Sequence, residues 1–414
     1  MRKLFVFLKK TRQDSSRIAV LWGEGVLTKL KGIAWDHRRC WGPLEPSCAP
    51  YRATTGVEVT WDRRSLYSFG EGDLGAFCKG YDLVIYDHPF AGDAAVSGWL
   101  LDLSPYLTPE DLAAFAANEV GASWRSYASR GGIWGLPVDT AAQTGAWRPD
   151  LLSRFGETVP ETLDDVLSLA ARLRPHDVWI GWPAVPTDQM CTLFSVAASL
   201  GLTPGRGTGP FLDPADAPEI VGWLRRLWAA AHPQSRDWNP IRCLDRMASA
   251  DDVAYVPYLF NYVTYSTGKD RSVRFGAAPR VAPDRPAHTL LGGAGIGISA
   301  ASANPQAAFD YAMHLCTPEF QSGDYVRNGG QPGSRAAWLS TTCNELTDGF
   351  FTACLPVLDA AHLRPTLPGF VPFFRNATHD LAAVLAEDAP LSAFVDSLNA
   401  GFDRLRSDAD RVPA

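Results

Sequence analysis

Leu291-Gly292-Gly293-Ala294-Gly295-Ile296-Gly297-Ile298-Ser299, followed after a polar turn by Asn304-Pro305-Gln306-Ala307-Ala308-Phe309-Asp310-Tyr311-Ala312-Met313, decides how this chain is read. The first part is a strand whose small residues permit close backbone approach. Asn304 suits a helix N-cap, and Pro305 suits the first helical turn, where its missing N–H would lack a partner anyway. Ala308, Tyr311, Ala312 and Leu315 recur at helical spacing and give that helix an apolar stripe.

Working outward, the same alternation fills the first third of the chain. Gly32 to Trp35, Val57 to Trp61 and Leu83 to Tyr86 read as strands separated by helical stretches. The continuous apolar run of the third suits a parallel strand covered on both faces. Such alternation predicts a doubly wound α/β sheet, where ligands collect beyond the carboxyl ends of the strands. Two of those ends carry the same dipeptide, Asp36-His37 after the first strand and Asp87-His88 after the third. Each histidine either lines a cleft there or caps a helix. Because neighbours on a strand point to opposite faces, a carboxylate–imidazole partnership would have to cross strands, as from Asp87 to His37.

Further on, Thr162 to Leu173 predicts an amphipathic helix, with Thr162 and Asp165 spaced as a capping box. Gly201 to Pro218 is rich in Gly, Pro and Asp and reads as a surface loop, Ile220 to Ala231 as a helix, and Val253 to Tyr265 as an aromatic strand and turn. A length of 414 residues implies two domains, and a net charge of −7 leaves no basic footprint for nucleic acid. The eight cysteines show neither a C-x-x-C pair nor metal-ligand spacing; Cys191, inside an apolar helical run, reads as a buried free thiol. At the N-terminus, Leu4 to Leu8 is shorter than the roughly 7–15 apolar residues of an export signal, so the chain as written reads as cytoplasmic. A misassigned start would make it periplasmic or cell-surface. P-loop, dinucleotide, nucleophile-elbow and zincin motifs are all absent, which favours a binder over the common enzymes.

Taken in order, several segments resemble one family. Trp99 to Leu107, Gly131 to Thr140, Trp147 to Leu152, Gly329 to Arg335 and Arg364 to Phe370, with the glycine strand above, are similar to the solute-binding proteins of sugar-type ABC importers, extracellular solute-binding protein family 1. The resemblance implies a two-lobed, periplasmic-binding-protein-like fold (type II), each lobe a doubly wound sheet flanked by helices, with hinge crossovers. Residues 1–29 would be an N-terminal extension, 30–137 and 280–325 the first lobe, and 138–279 and 326–414 the second. The implied ligand is a small polar molecule, a carbohydrate or polyol, with an ABC permease as partner if the chain is exported. A monomer without cofactor or metal is expected.

A sugar cleft needs flat aromatic faces and short polar groups. Trp35, Trp182, Tyr255, Tyr258 and Trp338 are the stacking candidates, although the same rings serve equally well in a core. Asp36, Asp87 and Asp139 would accept hydroxyl hydrogen bonds and Arg335 would donate. Asp139 would alternatively hold the crossing between lobes together. Gly293 and Gly295 would let backbone N–H groups approach the ligand, and His37 and His88 complete the set. The competing reading is an intracellular enzyme on the same clamp, using His37, His88, Asp36 and Asp87 for acid–base chemistry.

Overall fold

The computed structural model describes residues 27–268 and 270–411. The expectation for the export signal, at Leu4 to Leu8, lies outside the described residues. In chain order the strands are β1 (Lys29–Trp35), β2 (Glu58–Arg64), β3 (Leu83–Tyr86), β4 (Ala128–Ser129), β5 (Gly132–Ile133), β6 (Leu136–Trp147), β7 (Trp179–Ile180), β8 (Val253–Phe260), β9 (Arg274–Gly276) and β10 (Leu291–Ile298). β4 and β5 form a small hairpin, and the others share one sheet in the order β2-β1-β3-β10-β6-β8-β7, with β9 also on β6.

β1 pairs in parallel with β2 and β3, as the strand–helix alternation requires. It begins at Lys29, earlier than its apolar run, because Lys29 and Lys31 occupy solvent-facing positions while Leu30 is buried between them. β10 lies antiparallel to both β3 and β6. The sheet is therefore mixed at its centre, where one long strand leaves the first lobe and another returns.

The hydrophobic clusters show that crossing directly. Leu136 and Val138 of β6 pack with Leu30, Leu83 and Ile296, whereas Ala142 and Ala146 of the same strand pack with Val256, Leu259 and Trp338. β10 makes the reverse passage, from Leu291 in the second cluster to Ala294, Ile296 and Ile298 in the first. Each lobe thus has its own core, each buried Leu or Ile contributing about 1.5–3 kcal/mol.

The glycines of β10 are needed where the strand bends. Its register with β6 shifts between Ala294 and Gly295, and Gly293 at φ +126° lies where an added Cβ would stand 2.6 Å from the Asp139 carbonyl oxygen. At Gly295 a Cβ would stand 2.4 Å from the Tyr127 ring. The next helix, Pro305–Leu315, does follow Asn304, but the Asn304 side chain makes no cap bond. Ser302 fixes the turn instead, its hydroxyl accepting the Asn304 N–H at 3.2 Å while donating to Asp82.

In the second lobe, Thr162 Oγ1 accepts the Asp165 N–H at 3.1 Å and the Asp165 carboxylate accepts the Thr162 N–H at 3.0 Å, forming the capping box of the helix Leu163–Leu173. The helix expected from Ile220 runs Ala217–Ala230 because Pro218 fits its first turn rather than closing the preceding loop. All eight cysteines are free and all but Cys48 are buried.

Two substitutions test this account of the glycines. Gly295→Ala should destabilise the protein by about 1–3 kcal/mol through overpacking against Tyr127. Gly222→Ala, in a helix and with open space around the added methyl, should stabilise it by about 0.5–1 kcal/mol. Urea denaturation midpoints of the two variants, moving in opposite directions, are the check.

Candidate functional site

A cavity of about 370 Å³ lies between the lobes, within the roughly 300–1,000 Å³ typical of small-molecule sites. Its first-lobe wall carries Trp35 at the end of β1 and Asp87 after β3, with Tyr67, Phe69 and Glu71 from the helix Leu66–Glu71. The crossing strands supply Asp139 and Gly293 to its lining. The second lobe closes it with Phe260, Tyr262 and the start of the helix Pro186–Ser199, including Thr187 and Asp188. The strand-end rule therefore holds: the cavity opens beyond the carboxyl ends of β1 and β3.

Two buried ion pairs organise it. Arg39, near the start of the helix Arg38–Thr55, donates to Asp139 from Nε at 2.8 Å and from Nη2 at 2.5 Å, while Nη1 donates to the Asn261 carbonyl at 2.8 Å. Burial opposes the Arg39 charge, but the Asp139 carboxylate outweighs it and raises the guanidinium pKa. Asp139 thus joins the first lobe to the crossing strand, and through Arg39 to the end of β8. In the second pair, Arg364 donates to Asp87 Oδ2 at 2.7 Å, and His88 Nδ1 lies 3.1 Å from Asp87 Oδ1. Burial would raise the Asp87 pKa, but Arg364 and His88 pull it down to about 2.

Among residues singled out from the sequence, Trp35, Asp87, Asp139 and Gly293 line the cavity. His37 caps its helix, Nδ1 accepting the Arg39 N–H at 3.1 Å, and its ring packs edge-on against Tyr262. Burial and then Arg39 push its pKa down to about 4, so it is neutral near pH 7. Asp36 is exposed and lies 3.5 Å from Arg63. The cross-strand partnership of Asp87 with His37 is not formed. Asp87 and His88 meet each other instead, because His88 opens a 3₁₀ turn (His88–Phe90) rather than continuing the strand. His88 is buried behind Asp87, and burial lowers its pKa more than Asp87 raises it.

The remaining candidates pack elsewhere. Trp182 is buried in the second-lobe core, its indole N–H donating to Thr192 Oγ1 at 3.0 Å. Tyr255 and Tyr258 lie in the same core because β8 is an interior strand between β6 and β7. Trp338 is buried and donates to the Pro332 carbonyl at 2.7 Å. Arg335 donates to the Glu119 carbonyl at 2.7 Å and pairs with Asp359. Gly295 faces the Tyr127 ring rather than open space.

Several lining residues escaped the sequence reading. Arg39 follows the first strand end within four residues, and Asp188 opens the helix that follows β7, so the strand-end rule applied to both lobes would have reached them. Arg364 belongs to the Arg364-to-Phe370 segment already noted, without a role. Glu71 and Tyr67 have no local signal. Glu71 accepts a hydrogen bond from the Thr187 hydroxyl, which ties the two jaws across the cavity mouth. Asp188 is buried, and burial together with the Glu71 charge pushes its pKa up to about 8. Among the described residues, no group of three or more His, Cys, Asp or Glu is arranged to hold a metal ion. None of the described helices is long and apolar enough to cross a membrane.

Solved structures share this architecture across nearly the whole chain. The maltose-bound MalE3 of T. maritima superposes with a TM-score of 0.79 at 16% identity, covering 91% of this chain and 100% of its own. A ribitol complex of an ABC transporter solute-binding protein from Agrobacterium radiobacter K84 gives 0.74 at 16% identity, covering 91% and 98%. The GacH receptor of Streptomyces glaucescens, solved unliganded and with acarbose, gives 0.74 at 14% identity, covering 93% and 100%. These likenesses establish the two-lobed fold. Because residues 49–322 also match the sequence model of the bacterial extracellular solute-binding proteins, the chain belongs to that family.

Proposed function

We propose that this protein captures a carbohydrate or polyol in the inter-lobe cavity and closes its lobes over it. The observation that carries the reading is the placement of Trp35, Asp87, Asp139 and Gly293, on or just after four strands of the sheet, opposite Thr187 and Asp188 of the other lobe. Aromatic faces beside hydrogen-bonding carboxylates suit a hydroxylated ring. Proteins with the same fold bind maltose, ribitol and acarbose, which supports that ligand class. The lobes divide at residues 30–137 with 280–325, and 138–279 with 326–414, hinged on β6 and β10. Contacts from both lobes to one ligand bias the closed state. A monomer exported to the periplasm or cell surface would then present the closed form to an ABC permease.

A panel of mono- and oligosaccharides and polyols should identify a ligand that raises the melting temperature, with about 2.7 kcal/mol of stabilisation at a hundredfold excess over Kd. Mass spectrometry should recover that ligand unchanged; turnover would overturn the binder reading. Tyr67 lines the cavity while 63% exposed. Tyr67→Ala should therefore weaken binding about tenfold and leave the melting temperature of the free protein within about a degree.

Asp188 predicts a pH dependence of stability. A carboxyl whose folded pKa is raised binds its proton more tightly in the folded state. Its favourable contribution is full below the unfolded value of about 3.9 and is lost as pH rises through about 8. Asp188→Asn should match the wild type near pH 4 and exceed its stability at pH 8.5 by on the order of 3 kcal/mol. Denaturation midpoints at the two pH values measure the difference.

A further inference from the structure

Not every charged residue on the cavity wall is held in an ion pair. Asp139 is matched by Arg39 and Asp87 by Arg364. Among the described residues Glu71 and Asp188 have no such partner, and Asp237 and Arg242 also line the cavity. The Glu71 carboxylate accepts only the Thr187 hydroxyl, and Arg375 donates to the Glu71 backbone carbonyl, at 3.3 Å, rather than to its side chain. Among the described residues the Asp188 carboxyl group meets no hydrogen-bond or ion-pair partner, although the residue is only 5% exposed. Arg242, the other guanidinium lining the cavity, donates to the Asp237 carbonyl at 3.0 Å.

These two carboxyl groups come from opposite jaws: Thr187, which binds Glu71, immediately precedes Asp188 in the chain, and Asp188 feels the Glu71 charge. Buried charges are ordinarily paired, and two like charges sharing a site are costly. A hydroxyl from a neutral sugar would satisfy their hydrogen bonding while leaving Asp188 protonated. An ammonium supplies hydrogen bonds and charge together, with three donors and a compact positive charge. A second observation points into the same space. The Trp35 indole N–H is buried without a partner among the described residues, and Trp35 lines the cavity, so it can donate to a ligand acceptor such as a hydroxyl oxygen. Of the rings on the cavity wall, Trp35 and Tyr262 already face the Arg39 guanidinium, at 5.9 and 4.5 Å from their centroids, which leaves Phe260 and Tyr67 beside the ligand space.

We propose that the preferred ligand is a hydroxylated amine, an amino sugar or amino-polyol, whose ammonium lodges between Glu71 and Asp188. This rests on the cavity being the ligand site. An ammonium there favours ionised Asp188, so it relieves by pairing the charge that burial opposes.

Isothermal titration calorimetry on matched probes tests it: glucosamine against glucose and N-acetylglucosamine, and glucamine against sorbitol. The expected result is that at least one amine binds tenfold or more tightly than its neutral counterparts. The preference should be lost in Asp188→Asn and in Glu71→Gln, amine affinity falling to that of the neutral counterparts measured on the same variant, and Tyr67→Ala should weaken amine and neutral probes alike. Equal or tighter binding of the neutral members overturns the inference and leaves the carbohydrate reading standing. An amine preference that survives both carboxylate substitutions also overturns it, by placing the charge elsewhere. No binding of any probe, with no thermal shift across the wider panel, overturns the inference and the cleft reading together.

Discussion

The buried Arg39–Asp139 pair is the constraint on which the cleft depends. Asp139 sits on β6 at the point where that strand passes from one core to the other, directly opposite Ala294 of β10. A bidentate guanidinium there fixes the helix Arg38–Thr55 against the crossing strand, and its third bond holds the backbone at Asn261. Removing either partner would strand the other charge in the interior, a loss of about 3–5 kcal/mol. The same contacts set the floor of the cavity, so ligand geometry and lobe attachment rest on one group of atoms.

The bend of β10 is coupled to that floor. Gly293 adopts a positive φ and comes close to the Asp139 carbonyl, where no side chain fits. The pair and the glycine therefore belong to one arrangement, in which close backbone approach makes room for a buried ion pair beneath the ligand. Arg364–Asp87 repeats the device at the end of β3, with His88 held neutral behind it. Against these paired charges, Glu71 and Asp188 stand out because neither carboxyl group meets a basic side chain among the described residues.

How much was legible in the sequence follows from what each residue needs around it. The strand ends, the glycine strand and the capping box at Thr162 are local patterns, and the fold realises them. Trp35, Asp87 and Asp139 could be placed near the cavity because strand ends are set by topology. Aromatic rings carry no such local mark. Trp182, Tyr255, Tyr258 and Trp338 have the surface chemistry of stacking platforms, but an interior strand and overlying helices bury them. Asp87 and His88 met because a 3₁₀ turn replaced the strand alternation from which their separation was inferred. Glu71 and Thr187, 116 residues apart, meet only through the tertiary fold.

Free thiols have a use in such a molecule. Cys191 lies one helical turn beyond Thr187, is buried and lines the cavity. Burial keeps its sulfur protonated, and its place on the cavity wall ties its reactivity to the space between the jaws. Its alkylation rate is thus a native gauge of aperture, set by how often the mouth gapes and slowed by whatever occupies the space within.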